Sequence, residues 1–261
     1  MPNNKLYFVT DAHLGAGEDS RQREQELCTL LDQMKKDAAM VVFLGDMFDF
    51  WFTYRYVVPK GHVRLLGKMA ELADAGIELH FFIGNHDMWL FDYLKEEIGA
   101  IMHEEPDILE FDGKRFLVGH GDGLGHLDRR YDFIRRVFRC RFNQWLFTLV
   151  PSRLTFGIAF GWSSHSRKGH IKKNPDVYKY LGDNREGIVI YCRQRLEREH
   201  FDYCVFGHRH TPLVKDDCLP GSIYVNVGDW LMHRNYAVYH NGSMQLFDLF
   251  PTASTNQPLS D

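Results

Sequence analysis

"VFGHRHTP", residues 205–212, ends a short apolar run in a glycine and then sets two histidines one residue apart, just before a proline. At i and i+2 of an extended segment, His208 and His210 point to the same side of the chain. Two imidazoles on one side invite a metal ion, but a histidine pair by itself is usually just a solvated turn. The choice depends on whether other parts of the chain supply partners.

They do, at four other places built the same way. "TDAHLG" (10–15), "GDMFD" (45–49), "GNHD" (84–87) and "GHGD" (119–122) each follow a short run rich in Val, Ile and Phe: "KLYFVT" (5–10), "MVVFLG" (40–45), "IELHFFIG" (77–84) and "RFLVGH" (115–120). Such runs read as buried strands. Between them, residues 20–37 and 60–75 place apolar residues at helical spacing with charges opposite. Alternating strands and helices imply an α/β layered fold, and open α/β sheets place their sites beyond the carboxyl ends of the strands. Five loops distant in sequence can therefore converge. They offer carboxylate, amide and imidazole and no thiolate, a donor set suited to Mn, Fe, Zn or Mg. The glycines at 45, 84, 119, 121 and 207 allow tight turns and close backbone approach.

The rest of the chain sets bounds. Its 261 residues are 44% hydrophobic and 25% charged, enough for a substantial core and unlike a disordered chain. No apolar run reaches the ~18 residues of a membrane span, and the start "MPNNKLYFVT" lacks the features of a signal peptide, so a cytoplasmic location is expected. The five cysteines are widely spaced with no C-x-x-C pair and read as reduced thiols. Beyond residue 174 a helix is expected over "VYKYLGDNREGIVIYCRQRLEREH", interrupted near Gly182. Strands follow at "YCVFG", "SIYVNVG", "NYAVYH" and "SMQLFDLF", then a polar tail, 251–261. The expected organisation is a core in two parts, 1–125 and 174–250, divided by an insertion at 126–173.

The series D-x-H, G-D-x-x-D, G-N-H-D, G-H and G-H-x-H resembles the calcineurin-like metallophosphoesterase family over residues 6–228, apart from the insertion. The resemblance implies a β-sandwich flanked by helices, an αββα four-layer arrangement, here with a helical cap. It also implies two divalent ions. By motif position, Asp11, His13 and His210 would hold the first, Asn85, His120 and His208 the second, and Asp46 would bridge them. His86 would aid the leaving group as an acid or a cation, and Asp49, Asp87 and Asp122 would orient the ligands. Such an ion pair activates water and stabilises charge on a phosphoryl group.

The reaction class does not specify the substrate, which points to the insertion. From Arg129 to Lys173 there are eleven Lys/Arg against the single acid Asp132, about +10, so in a chain of net charge -4 the remainder carries about -14. Phe133, Val137, Phe138, Trp145, Leu146 and Leu149 give one apolar face, on a helix running to about Val150, with a second helix starting at Ser152. A solvated cap, a single-strand nucleic-acid groove and a surface for lipid or an anionic bilayer all fit arginine mixed with aromatics. The quantity of Phe, Leu and Trp favours lipid over nucleic acid. "HGDGLGHLDRRYDFIRR" and "NVGDW" (226–230) are similar to the UDP-2,3-diacylglucosamine hydrolases of lipid A synthesis. That narrower resemblance implies attack on the α-phosphate to release UMP, Mn²⁺ as the usual metal, and action at the inner-membrane surface. Asp128, Tyr131 and Lys168 would contact the substrate. One position departs from the pattern: the best-known branch of that family has Arg where this chain has His86. A protein or nucleotide phosphoesterase with another cap specificity, or a metal-stabilised scaffold, are the alternatives. Of the other histidines, His126 and His233 lie close in sequence to the site loops.

Overall fold

Along β1 (Lys5–Val9), Leu6 and Phe8 turn to one face and Tyr7 and Val9 to the other, and all four are buried. β2 (Ala38–Phe43) repeats this with Met40 and Val42 against Val41 and Phe43. β6 (Lys114–Gly119) and β7 (Tyr203–Phe206) do so with Phe116, Val118, Tyr203 and Val205 against Leu117, Cys204 and Phe206. Strands that are apolar on both faces must be covered on both. In the computed structural model, which describes residues 4–125, 129–151, 154–157, 161 and 179–250 (for 129–132 the backbone), two sheets stack face to face with helices outside.

The first sheet has the order β11-β10-β1-β2-β3-β4 and the second β5-β6-β7-β9-β8. Their remaining strands are β3 (Glu78–Phe82), β4 (Ile101–His103), β5 (Asp107–Phe111), β8 (Leu213–Leu219), β9 (Ser222–Asn226), β10 (Asn235–His240) and β11 (Ser243–Asp248). Leu6, Phe8, Val42, Phe116, Val118 and Val205 fill the space between the sheets, and burial of each such side chain contributes about 1.5–3 kcal/mol. The outer face of the first sheet is covered by α1 (Ser20–Met34), α2 (Val63–Asp74) and α3 (Tyr93–Ile98), through Leu27, Leu31, Leu65, Met69 and Leu94. The outer face of the second is covered by α6 (Gly187–Leu196), through Ile188, Val189 and Cys192. The αββα layering is thus a consequence of two-sided strand burial.

Three features differ from expectation. The basic segment does not run as one helix to Val150: α4 (Arg129–Arg139) ends and α5 (Arg141–Thr148) begins around Cys140, whose backbone is extended. The amides of Asn143 and Gln144 donate to the Val137 and Phe138 carbonyls, capping α4 from the start of α5. The helix expected around 177–200 is interrupted at Gly182 as expected, where φ is +90° and a turn runs to Glu186, but of its described residues only α6 beyond the turn is helical and 179–181 before it are not. β4, β5, β8 and α3 were not expected. These are short or half-exposed pieces, such as the charged edge strand "LVKDDCL", that lack an apolar run. Ser152 lies outside the described residues.

α4 and α5 rest on the core by aromatic and ionic contacts. Phe147 packs on Phe52 and Trp89, and the Trp89 indole N–H donates to the Phe138 carbonyl at 2.9 Å. Arg135 and Arg139 converge on Glu105. Phe138 and Arg139 therefore face the core, while Phe133, Phe142, Trp145 and Leu149 are exposed.

Candidate active site

β1, β2 and β3 are parallel in one sheet and β6, β7 and β9 in the other. Hydrogen bonds between their outgoing loops bring the carboxyl ends together. Asp11 N donates to Gly45 O, His13 N to Asp46 O, Gly207 N to His120 O, and Trp230 N to Thr10 O. His86 N, in the loop after β3, donates to Asp46 Oδ1 at 2.8 Å, so six loops form one surface around a shared centre.

The backbone there is unusual. Asp11, His13, Asp46, His208 and His210 all have φ between 42° and 66°. Side-chain-bearing residues avoid this left-handed region, and where it persists the surroundings impose it, commonly at functional sites. Glycine is required where loops touch: a β-carbon on Gly45 would sit 2.6 Å from the Gly84 nitrogen, and one on Gly84 would overlap the Asp46 carboxylate.

The side chains fall into overlapping groups with donor atoms close enough to share an ion: Asp11, His13 and His210; His13, Asp46 and His86; Asp46, His120 and His208. Asp46 belongs to two of them, with Oδ2 3.4 Å from His120 Nε2 and 3.8 Å from His13 Nε2. Asn85 joins the last group, its Oδ1 3.3 Å from His120 Nε2, and His208 Nδ1 is 3.2 Å from the same nitrogen. Asp11 Oδ1 and both ring nitrogens of His13 are buried with no hydrogen-bond partner. Buried polar atoms left so are costly, and a divalent cation would satisfy them. The donor set fits.

The electrostatics agree. Burial opposes charge on every group here, yet His120, His86 and His13 outweigh it and hold the Asp46 carboxyl well below its usual range. Burial likewise lowers His120, but Asp46 and Asp11 lift it well above an ordinary imidazole. His13, also opposed by burial, is carried to about 10 by Asp11, Asp49 and Asp46. Burial and the charge on His120 push His208 down to about 4. The carboxylates thus favour protons on His13 and His120, where metal ligands must be deprotonated, so a metal ion competes with those protons.

The expected orienting residues have specific tasks. Asp87, pushed up to about 7 by burial and by Asp46, accepts from Gly84 N and Met47 N and ties the second and third loops together. Asp49 Oδ1 lies 3.7 Å from His13 Nδ1 and 3.6 Å from His86 Nδ1, and its carbonyl is 3.0 Å from the latter. Burial holds His86 below its usual value despite Asp46. Asp122 Oδ2 lies 3.6 Å from Arg135 Nε of α4, so this loop meets the helical segment. Asp128 and Lys168 lie outside the described residues, as does the side chain of Tyr131.

Three contributors were not anticipated. Thr10 donates to Asp11 Oδ2. Asp229 reaches His210, and the only signal for it was its place in "NVGDW" after a strand. Arg23, 1% exposed, donates to the carbonyls of Ala12, His13 and Ala16 and pairs with Asp19. Nothing in a helix sequence marks one arginine as turned inward. Arg23→Met is expected to lower stability by about 3 kcal/mol or more, because the carbonyls of Ala12, His13 and Ala16 lose a donor at about 1–3 kcal/mol each. Urea unfolding checks this; a loss below about 1 kcal/mol would show that the loop holds itself.

Residues 5–212 match the calcineurin-like phosphoesterase family model. The chain is 39% identical over 255 residues to a UDP-2,3-diacylglucosamine hydrolase of Porphyromonas gingivalis, covering 93% of this chain and 97% of that protein. It is 26% identical over 242 residues to the Aeromonas salmonicida protein of the same name, at 92% and 91% coverage. Among solved structures it aligns with Yfce, a phosphoesterase from E. coli, at a TM-score of 0.44 and 15% identity, over 91% of this chain and 88% of that one. The chain belongs to the calcineurin-like phosphoesterase family.

Proposed function

We propose that the protein hydrolyses the diphosphate of UDP-2,3-diacylglucosamine in lipid A synthesis, giving UMP and 2,3-diacylglucosamine 1-phosphate, with two divalent ions, Mn²⁺ by preference. The observation that carries this reading is the 39% identity to the P. gingivalis hydrolase over 93% of this chain. The uncovered part is smaller than the segment 126–173, so the likeness extends into the stretch where substrate specificity is expected.

Asp11, His13 and His210 hold the first ion, Asn85, His120 and His208 the second, and Asp46 both; the convergence of these donors supports the assignment. When bound, such a pair activates water for in-line attack and stabilises the phosphoryl oxygens. His86, its Nδ1 against the Asp49 carbonyl, aids the departing group as an acid or as a cation. Asp128, Tyr131 and Lys168 contact the substrate. Exposed Phe133, Phe142, Trp145 and Leu149 beside the arginines of α4 and α5 favour acyl chains and the anionic cytoplasmic face of the inner membrane. Among the described residues no helix is long and apolar enough to cross a membrane.

The test is UMP release from UDP-2,3-diacylglucosamine with Mn²⁺, wild type beside His120→Ala. The expected result is turnover by the wild type and a loss of about a hundredfold or more in the variant. Hydrolysis of a simple phosphodiester without UMP release would retain the metal chemistry and discard the lipid substrate. Salt-sensitive binding to anionic vesicles is expected as well, and its absence would remove the membrane surface from the reading.

A further inference from the structure

The loop after β9 contributes nothing to the ligand set assigned above, yet it holds a fully buried carboxylate, Asp229. Its Oδ2 lies 3.3 Å from His210 Nδ1 and 3.1 Å from His233 Nδ1. Its Oδ1 accepts from Met232 N at 2.6 Å and His233 N at 3.0 Å. Engaged on both oxygens, the carboxylate is not free to turn.

The backbone around it is anchored to the first ligand loop. Trp230 N donates to Thr10 O at 3.1 Å and Asp11 O at 3.2 Å, and the Trp230 indole N–H donates to Arg23 O at 3.2 Å. Gly228, at φ +90°, has Asn235 Oδ1 2.7 Å from where a β-carbon would stand, so the chain packs closely at this turn. Asp229 therefore approaches His210 from behind, on a support shared with Asp11 and His13.

A proton on His210 Nδ1, donated to Asp229, leaves the lone pair on Nε2, and Nε2 is the nitrogen 3.4 Å from Asp11 Oδ1. We propose that Asp229, held from the solvent side by His233, is the positioning residue that commits His210 to metal binding through Nε2, and that it governs the first metal position alone. His120 is oriented by a neutral group instead, the Leu44 carbonyl 2.7 Å from its Nδ1. An outer carboxylate raises the basicity of a ligating imidazole, and its loss typically costs 10–100-fold in metal affinity. The two metal positions thus differ in what stands behind them.

This inference rests on the two-metal reading of the site. Its test is Mn²⁺ titration of the metal-free protein, followed by metal analysis and by electron paramagnetic resonance, which separates coupled pairs from single ions. The wild type is expected to bind two ions per chain. At the Mn²⁺ concentration that just saturates the wild type, Asp229→Asn is expected to hold one uncoupled ion, and to need about 10–100-fold more Mn²⁺ for the other. At saturating Mn²⁺ its kcat recovers while KM for a phosphodiester stays at the wild-type value, a split that a general loss of folding would not give. His233→Ala, at a partly exposed position, shifts the same ion by less and carries the test if Asp229→Asn does not fold. His120→Ala is the mirror control and loses the other ion. Two ions of wild-type affinity in both Asp229→Asn and His233→Ala, or joint loss of both ions, would overturn the inference. A wild type that binds no Mn²⁺ would instead overturn the two-metal reading, and the inference with it.

Discussion

Asp46→Ala is expected to lower kcat/KM by about a thousandfold or more, a loss of about 4 kcal/mol of transition-state stabilisation, with no recovery on added Mn²⁺. Asp46 is the carboxylate common to two of the donor groups, within 4 Å of both His13 and His120. Without it neither donor group keeps its charge balance, and on the two-ion reading proposed above the shared ligand is lost. The effect should be local, because the backbone carbonyl of residue 46 still receives His13 N, and Met47 N still donates to Asp87. Steady-state kinetics with metal analysis of the variant check this. Activity within tenfold of wild type would mean that the two donor groups act independently and that the dinuclear reading is wrong.

His86→Ala is expected to lower kcat by about 10²–10⁴, the usual contribution of a positioned acid or base, with metal content unchanged. The two effects are separable because His86 has two roles in the structure. Its backbone N–H donates to Asp46 Oδ1 at 2.8 Å, which helps hold that carboxylate in place, and alanine keeps that bond. Only the imidazole is removed, the group whose Nδ1 lies 3.0 Å from the Asp49 carbonyl. If the imidazole donates a proton, the deficit should shrink for a p-nitrophenyl ester, whose leaving group needs none. An unchanged kcat would take His86 out of the chemistry, and loss of metal along with activity would make it a ligand.

His13, Asp46, Asn85, His120, His208 and His210 were legible as candidates because each follows an apolar run and carries donor chemistry in a local motif. Asp229 and Arg23 were not legible in that way. A carboxylate that orients an imidazole, or a guanidinium that gathers three carbonyls, is defined by what lies across space from it. The helix break at Cys140 was hidden for a related reason: the amides of Asn143 and Gln144 cap α4 only once the chain has already turned back.

Taken alone, the amino-acid sequence determined the buried strands, the layered class of fold and the donor set. These depend on residue chemistry and on the period of apolar residues along a few positions. Tertiary structure decided which donors lie close enough to share an ion, and what stands behind each of them. The bond from His208 N to Asp11 Oδ2, at 2.9 Å, joins residues 197 positions apart. No local pattern encodes it, because it exists only after two sheets, each buried on both faces, have stacked and brought their outgoing loops to one edge.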